Sequence, residues 1–172
     1  MIAFRPVLAD DLPVLLEWMH RPHWREWWGD PESELEHVRD MIEGRDTTQP
    51  FIFVVDGKDA GYIQVWFVKD QQGTEFAKEI PWLELLPPDA VGVDLSIADR
   101  ANLSQGLGTR VLQAFVRRLR QDGFKRIVID PDPANLRAVK AYRKAGFREM
   151  PDLLGRTGDS LLMEHMIMEG VS

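Results

Sequence analysis

The feature that most constrains the fold is a short glycine-containing segment that joins two runs of different periodicity. Residues 90–97 before it form an apolar run with strand character, and residues 109–119 after it repeat apolar residues at the spacing of an amphipathic helix. Gly106 and Gly108 between the two runs permit the backbone conformations of a tight turn. The pattern predicts a strand, a turn and a helix whose free N–H groups at its start suit an anion such as a diphosphate.

Two common phosphate-binding motifs do not fit this segment. The dinucleotide fingerprint needs a third glycine, but Val111 stands three residues after Gly108. The Walker phosphate loop needs Gly-Lys-Ser/Thr, which does not follow Gly108 either. A Gly-x-Gly pair alone is also typical of a turn that serves only close packing, so the ligand has to be inferred together with other motifs.

The rest of the chain predicts further strands and helices around one core. Strands are predicted at residues 2–6, 51–55, 60–68, 127–129 and 160–168. Helices are predicted after Asp10 or Asp11, either of which can cap the first of them, and at residues 33–43 and 135–145, the last stopped by Gly146. Loops are predicted at the tryptophan-rich residues 21–31 and at the polar residues 69–89.

The order of these elements, β-α-α-β-β-β-α-β-α-β, predicts an α/β fold. We expect one domain over residues 1–172, with a mixed central β-sheet flanked by helices. The length suits a single compact domain with a sizeable core.

Composition disfavours several kinds of site and partner. The chain has no cysteine, and its four histidines lack metal-ligand spacing, so we predict no disulfide, no metal and no thiol nucleophile. A net charge of −7 disfavours a nucleic-acid partner and could attract a cationic substrate, although acidic surfaces also serve solubility alone. Without a signal peptide or an apolar run that could span a bilayer, we expect a cytoplasmic monomer or homodimer with no membrane partner.

A second motif follows the strand predicted at residues 127–129. Asn135 stands at the turn into a helix that ends in Tyr142-Arg143-Lys144-Ala145-Gly146-Phe147. Together with the Gln105-Gly106-Leu107-Gly108 loop, which precedes it in the chain, this motif resembles the GNAT superfamily of acyl-CoA-dependent N-acetyltransferases. Leu103 departs from the family, which often has Arg or Gln at that place. Backbone N–H groups do most of the phosphate binding, and the resemblance implies acetyl-CoA as co-substrate.

Four segments are similar to the aminoglycoside 6'-N-acetyltransferase group. They are Leu15-Leu16-Glu17-Trp18-Met19, Glu26-Trp27-Trp28-Gly29, Gly92-Val93-Asp94-Leu95-Ser96 and the stretch from Asp130 to Ala138. The resemblance extends over most of residues 4–166 and is poor at residues 69–89. Siderophore-type hydroxylysine N-acyltransferases share Trp18 and Arg21-Pro22-His23, but they typically carry His where this chain has Asp94.

The resemblance implies roles for individual residues. Asp94 would be the general base or the anchor of the substrate ammonium, and burial in an apolar strand would raise its pKa; the alternative is an edge-strand acid that faces water. Tyr142 would protonate the departing thiolate, or else only pack in the core. The residues expected to bind acetyl-CoA are Ser96, Ile97, Leu103, Ser104, Gln105, Gly106, Leu107, Gly108, Thr109, Asn135, Ala138 and Tyr142.

The acceptor site is expected to combine aromatic and acidic side chains. Trp28 and Trp66 are the tryptophans expected in the cleft, with Asp94 and Asp130 as carboxylates that attract an amine. Four acidic residues of the predicted loop could add negative charge or simply be solvated, namely Glu75, Glu79, Glu84 and Asp89. The oxyanion donor would be a backbone N–H after Asp94, near Ser96 or Ile97.

The preferred hypothesis is an acetyl-CoA-dependent N-acetyltransferase that acts on a small cationic amine, the 6'-amine of aminoglycosides. Direct attack in a ternary complex is the simplest scheme because no cysteine is present to form a covalent acyl-enzyme. The alternatives are a siderophore-type lysine N-acyltransferase, an enzyme that acetylates a protein amine, and a non-catalytic acyl-CoA-binding module.

Overall fold

The computed structural model describes residues 1–167 of the chain. These residues fold around one mixed β-sheet. Its strands are β1 (Ile2–Pro6), β2 (Gln49–Val55), β3 (Lys58–Phe67), β4 (Val91–Ile97), β5 (Ile127–Ile129), β6 (Phe147–Glu149) and β7 (Met163–His165). Their order across the sheet is β1-β2-β3-β4-β5-β7-β6. Neighbouring strands run antiparallel except β4 and β5, which are parallel. The predicted α/β fold with a mixed central sheet is confirmed.

Helices cover both faces of this sheet. They are α1 (Leu12–Met19), α2 (Pro22–Trp28), α3 (Pro31–Ile42), α4 (Val68–Gln71), α5 (Glu75–Glu79), α6 (Leu107–Gln121) and α7 (Leu136–Lys144). Side chains of β3 alternate between the faces: Ile63 packs with α6 and α7, whereas Tyr62 packs with α1, α2 and α3. None of the helices in residues 1–167 is long and apolar enough to cross a membrane.

The sheet opens between its two parallel strands. β4 and β5 pair only at Val91 with Ile127 and at Gly92 with Val128. The remaining residues of β4 continue to pair with β3 as far as Ile97, but they have no partner on the β5 side. The strands therefore part toward their carboxyl ends, and α6 and α7 begin beside the opening.

Gly92 is needed where the strands are still paired. It lies opposite Trp66 of β3, and a Cβ atom built on Gly92 would lie 2.0 Å from the indole ring. Trp66 therefore lies across the glycine and packs against the buried cluster that includes Val68 and Val128.

Both segments predicted as loops contain helix, and those predictions are wrong. Residues 21–31 include α2, which begins with Pro22 and buries Trp24 completely. Residues 69–89 include the end of α4, α5 and a 3-10 helix, Pro81–Leu85, that buries Trp82. In both cases burial of an aromatic side chain orders a segment whose sequence is rich in helix-breaking residues.

Other differences concern the ends of elements. Asp11 stands at the start of α1 but does not cap it, because its carboxylate accepts from the Leu8 N–H at 2.8 Å and pairs with Arg5 at 2.9 Å. β6 was not predicted from the sequence. The strand predicted at residues 160–168 is confined to β7, and residue 168 lies outside the described residues. Asn135 caps α7, and Gly146 follows that helix with φ of +105°.

Candidate active site

A cleft of about 690 Å³ occupies the space where β4 and β5 part. The ends of these strands and the beginnings of α6 and α7 form its walls, and α2 and α3 close one end. The predicted site residues that line it are Trp28, Asp94, Ser96, Ile97, Leu103, Ser104, Gly106, Gly108, Thr109, Asp130, Asn135, Ala138 and Tyr142. The structure thus brings together most of the residues that the sequence analysis selected from distant parts of the chain.

Three predicted residues do not line this cleft. Leu107 is buried in the core beneath α6, and Gln105 and Leu107 both line a separate cavity that also includes Arg110. Trp66 lies over Gly92 instead of entering the cleft. Gln105 is exposed on the turn, and Leu107, the first residue of α6, packs into the core.

Backbone N–H groups of β4 are directed into the cleft. The Ala98 N–H donates to the Ala60 carbonyl at 2.9 Å. In an antiparallel pair the backbone groups of every second residue point toward the partner strand, so those of Ser96 also point toward β3. Leu95 and Ile97 consequently present their backbone groups to the opposite side, where β5 has parted from the strand. Of the two sites proposed for an oxyanion donor, Ile97 fits this orientation and Ser96 does not.

The carbonyl groups at the end of β4 are held by α2 and the residue before it. His23 Nε2 lies 2.8 Å from the Ile97 carbonyl oxygen and must donate, since a carbonyl can only accept. Arg21 Nη1 donates to the Ala98 carbonyl at 2.6 Å. These contacts fix the end of the strand and leave the Leu95 and Ile97 N–H groups as its available donors.

The turn into α6 has the conformation of an anion-binding site. Ser104 and Gly106 adopt left-handed φ values of 60° and 76°, and no side chain caps the N-terminus of α6. A Cβ atom on Gly108 would meet nothing nearer than the Ile97 Cδ1 atom, at 3.8 Å. The uncapped N–H groups and the open space above Gly108 fit a diphosphate.

A row of basic residues on α7 lines the same side of the cleft. Arg137, Lys140 and Lys144 recur at helical spacing, and within residues 1–167 none of them forms a salt bridge. Thr109 Oγ1 donates to the Ala141 carbonyl at 3.1 Å and ties α6 to α7. The α6 turn and this basic row together make one end of the cleft basic, and this end, where phosphates are expected to bind, is named the phosphate-binding end.

The other end of the cleft is acidic. Burial raises the pKa of Asp94, and contacts from Gln64 and Trp66 partly offset the increase. Burial, followed by the charge of Asp94, raises the pKa of Asp130 well above its usual range. The pKa of Glu34 is raised by burial and by Asp94, while His37 acts in the opposite direction. Three carboxyl groups therefore share an environment that favours a cation.

Tyr142 lies in the cleft near these carboxyl groups. It is 9% exposed, and burial together with Asp94 and Asp130 raises the pKa of its hydroxyl well above the ordinary value. The hydroxyl therefore stays protonated at neutral pH, as a proton donor must. Tyr142 also belongs to the core beneath the sheet, so the packing role and the cleft position coexist.

Trp28 forms part of an aromatic wall at the acidic end. Its ring packs 5.7 Å from that of Trp24 and 5.8 Å from that of Tyr62, and Trp27 lines the cleft beside it. The four acidic residues of the 69–89 segment that were expected to add negative charge do not line the cleft: Glu75, Glu79, Glu84 and Asp89.

Several cleft residues were missed at the sequence level. Glu34 on α3 and Gln64 on β3 reach Asp94 only through the tertiary fold, so no local pattern marks them. His23 was named only as part of the segment Arg21-Pro22-His23, which resembles siderophore-type N-acyltransferases. The basic row of α7 could have been found, because its residues repeat at intervals of three and four. No group of three or more acidic or histidine residues within residues 1–167 is arranged to hold a metal ion.

Comparison with known proteins identifies the family. A model described as an acetyltransferase (GNAT) domain matches residues 7–153. The chain belongs to the GNAT acetyltransferase family. GNAT proteins use acetyl-CoA, and the phosphate-binding end of the cleft fits that co-substrate.

Individual relatives of this GNAT protein are similar over most of the chain. An aminoglycoside N(6')-acetyltransferase type 1 from Klebsiella pneumoniae is 31% identical over 169 residues, covering 94% of this chain and 81% of that one. A crystal structure of aminoglycoside acetyltransferase AAC(6')-Ib with coenzyme A and kanamycin superposes with a TM-score of 0.78 at 29% identity, covering 97% and 95% of the two chains. A lysine N-acyltransferase from Mycobacterium sp. is 28% identical over 84% of this chain and 58% of its own length.

The α6 turn gives a direct test of acetyl-CoA binding. We expect Gly108→Val to fold, because Gly108 has no positive φ and faces open space, yet to lose acetyl-CoA binding because the side chain fills the phosphate position. In thermal melts, saturating acetyl-CoA should raise the Tm of the wild type and leave that of Gly108→Val unchanged. NAD serves as the control ligand. An equal increase with NAD, or an unchanged response in Gly108→Val, would contradict the assignment.

Proposed function

We propose that this GNAT protein transfers the acetyl group of acetyl-CoA to the 6'-amine of aminoglycosides by direct attack in a ternary complex. The observation that carries the proposal is that the two ends of the cleft carry opposite charge. Basic side chains and uncapped backbone N–H groups lie at one end, and the partly buried carboxyl groups of Asp94, Glu34 and Asp130 lie at the other. An anionic co-substrate and a cationic acceptor would therefore meet at the middle of β4.

The phosphate-binding end supports the orientation of acetyl-CoA. The N–H groups at Gly108 and Thr109 would hold the diphosphate, and Lys140 and Lys144 would balance the remaining phosphate charge. The pantetheine arm would then run along β4, where the Leu95 and Ile97 N–H groups have no strand partner. This path directs the thioester toward Asp94.

The acidic end supports a cationic acceptor. An amine that enters as an ammonium would relieve the mutual repulsion of the carboxylates of Asp94, Glu34 and Asp130. Trp28 offers an aromatic edge beside them, suited to a sugar ring. Trp66 is not part of the proposed acceptor site, because its indole ring is packed over Gly92.

The chemistry assigned to the residues follows from their positions. Asp94 takes a proton from the ammonium, directly or through a water, and frees the lone pair that attacks the thioester carbonyl. The Leu95 or Ile97 N–H stabilises the negative charge that develops on the carbonyl oxygen. The carbon–sulfur bond then breaks, and Tyr142 gives its proton to the departing thiolate. The second proton of the new amide nitrogen returns to the Tyr142 oxygen, directly or through a water, and Asp94 releases its proton to solvent. Acetyl-CoA supplies the acetyl group, and the products are an amide and free CoA.

A lysine-derived amine is the second candidate acceptor. It is favoured by the similarity to the mycobacterial lysine N-acyltransferase over 84% of this chain. The carboxylates that suit an aminoglycoside would suit any small polyamine, so the choice between these acceptors depends on the shape of the acidic end. A non-catalytic acyl-CoA-binding module is disfavoured because Asp94 and Tyr142 line the same cleft.

The choice of acceptor is tested with a panel of amines. We expect CoA release from acetyl-CoA with kanamycin-type aminoglycosides that carry a 6'-amine, and none with analogues that carry a 6'-hydroxyl. The KM for the acceptor should rise with salt concentration, because carboxylates bind it. Equal acetylation of both analogues would refute the regiochemistry. Activity only with an N-hydroxylysine compound would favour the second candidate, and CoA binding without turnover on any amine would favour the non-catalytic module.

The roles of Asp94 and Tyr142 predict different kinetic changes. Asp94→Asn removes the proton acceptor and should lower kcat on the order of 10²-fold. Tyr142→Phe should lower kcat with little change in acceptor KM, because a proton donor to the thiolate acts in the transition state. Asp89→Asn, the same substitution at an exposed residue outside the cleft, is the control. Turnover near the wild-type value in Asp94→Asn would remove Asp94 from catalysis.

A further inference from the structure

A buried tyrosine lies behind the carboxylate that faces the cleft. Tyr62 is 0% exposed and packs among aromatic side chains, with its ring 5.8 Å from that of Trp28. Its hydroxyl nevertheless has a specific partner: it donates to Gln64 Oε1 at 2.7 Å, with Met41 Sδ further away at 3.6 Å. Tyr62 and Gln64 are two residues apart on β3 and therefore share one face of the sheet.

Gln64 connects this hydroxyl to Asp94. The two residues are paired across β3 and β4, and Gln64 Nε2 donates to Asp94 Oδ2 at 2.9 Å. Tyr62, Gln64 and Asp94 thus form a continuous chain of hydrogen bonds from the aromatic cluster to the cleft. The donated bond occupies one accepting position of the carboxylate, the contact from Trp66 occupies another, and the remaining positions can accept from an amine.

The donor-to-acceptor direction of these hydrogen bonds is set by the groups at both ends, Tyr62 and Asp94. If the Gln64 amide were reversed, its oxygen would face an oxygen of Asp94 at 2.9 Å, which an ionised carboxylate disfavours. The Tyr62 hydroxyl stays protonated, since burial and the charge of Asp94 raise its pKa, so it remains available to donate to the amide oxygen. The hydroxyl and the carboxylate therefore select the same amide orientation.

We propose that Tyr62 is a positioning residue. It acts through Gln64 to keep the Asp94 carboxylate ionised and in the orientation that accepts a proton from the amine. The proposal rests on the role of Asp94 as the base in the proposed function. Neither Tyr62 nor its hydroxyl reaches the cleft itself, so any effect on the reaction must pass through Gln64.

The surroundings of Asp94 explain why such support is needed. Glu34 faces it from α3, Asp130 from the end of β5 and Tyr142 from α7, and His23 lines the same cleft from α2. Burial raises the pKa of Asp94 and favours its protonated form. The contacts from Gln64 and Trp66 act in the opposite direction and lower that pKa.

Removing the relay should therefore raise the pKa of Asp94. Tyr62→Phe keeps the aromatic ring and deletes one hydroxyl, and Gln64→Met keeps the side-chain length and deletes both hydrogen bonds. A base with a raised pKa is protonated over a wider range, so the acid limb of the kcat/KM profile should move to higher pH in both variants. We expect about a tenfold loss of kcat/KM on the acid limb and recovery toward the wild-type value at high pH.

The test is a double-mutant cycle with two readouts. The proteins are the wild type, Tyr62→Phe, Gln64→Met and the double variant, with Gln49→Met on the exposed side of β2 as the matched control. The first readout is the titration of the Asp94 carboxyl carbon by 13C NMR, assigned from Asp94→Asn. The second is the pH dependence of kcat/KM with the best acceptor. Because Tyr62 acts through Gln64, the double variant should match Gln64→Met in both readouts.

The NMR titration keeps this proposal separate from the proposed function, because it needs no acceptor and no turnover. Additive effects of the two substitutions would overturn the relay and leave Tyr62 as a packing residue. An unchanged Asp94 titration in Gln64→Met would also overturn it, even if Tyr62→Phe failed to fold. Absence of acetylation of every amine would refute the proposed function and leave the NMR comparison interpretable.

Discussion

The pairing of β4 with β5 at two residues only is the constraint on which the site depends. Val91 and Gly92 bind the strands together at one end, and the lack of pairing beyond them opens the sheet at the other. A fully paired sheet would use the N–H groups of Leu95 and Ile97 internally and would leave no space between the strands. Here the same gap provides the cleft, its backbone donors and the place where α6 and α7 begin.

The acidic end of the cleft is arranged at the expense of stability. Burial raises the pKa of Asp94, Glu34 and Asp130, so the native state binds protons more tightly than the unfolded chain does. Their ionisation therefore lowers the free energy of unfolding as the pH rises through their folded pKa values. A bound cation would offset the repulsion between these ionised carboxylates. A cationic acceptor would therefore bind preferentially at this end of the cleft. The hydrogen bond from Gln64 lowers the pKa of Asp94 and so favours its ionised form within that environment.

Local sequence patterns were sufficient to predict the turn and the helices at the basic end of the cleft, and they were insufficient for the acidic end. The Gly106 turn and the helix that ends at Gly146 are continuous in sequence, and their conformations depend on residues within a few positions of one another. Glu34 and Gln64 join Asp94 only because α3 and β3 are brought beside β4 by the fold. For the same reason α2 was missed, since burial of Trp24 orders a segment that its composition describes as a loop.

The most direct test of the proposed function is a crystal structure of the protein with CoA and an aminoglycoside that carries a 6'-amine. The proposed mechanism requires the amine nitrogen to lie within hydrogen-bond reach of the Asp94 carboxylate, about 3 Å, directly or through one water. It also predicts the diphosphate at the N-terminus of α6 and the sulfur between Tyr142 and the end of β4. An amine remote from Asp94, or a CoA bound in the cavity lined by Gln105, would contradict it.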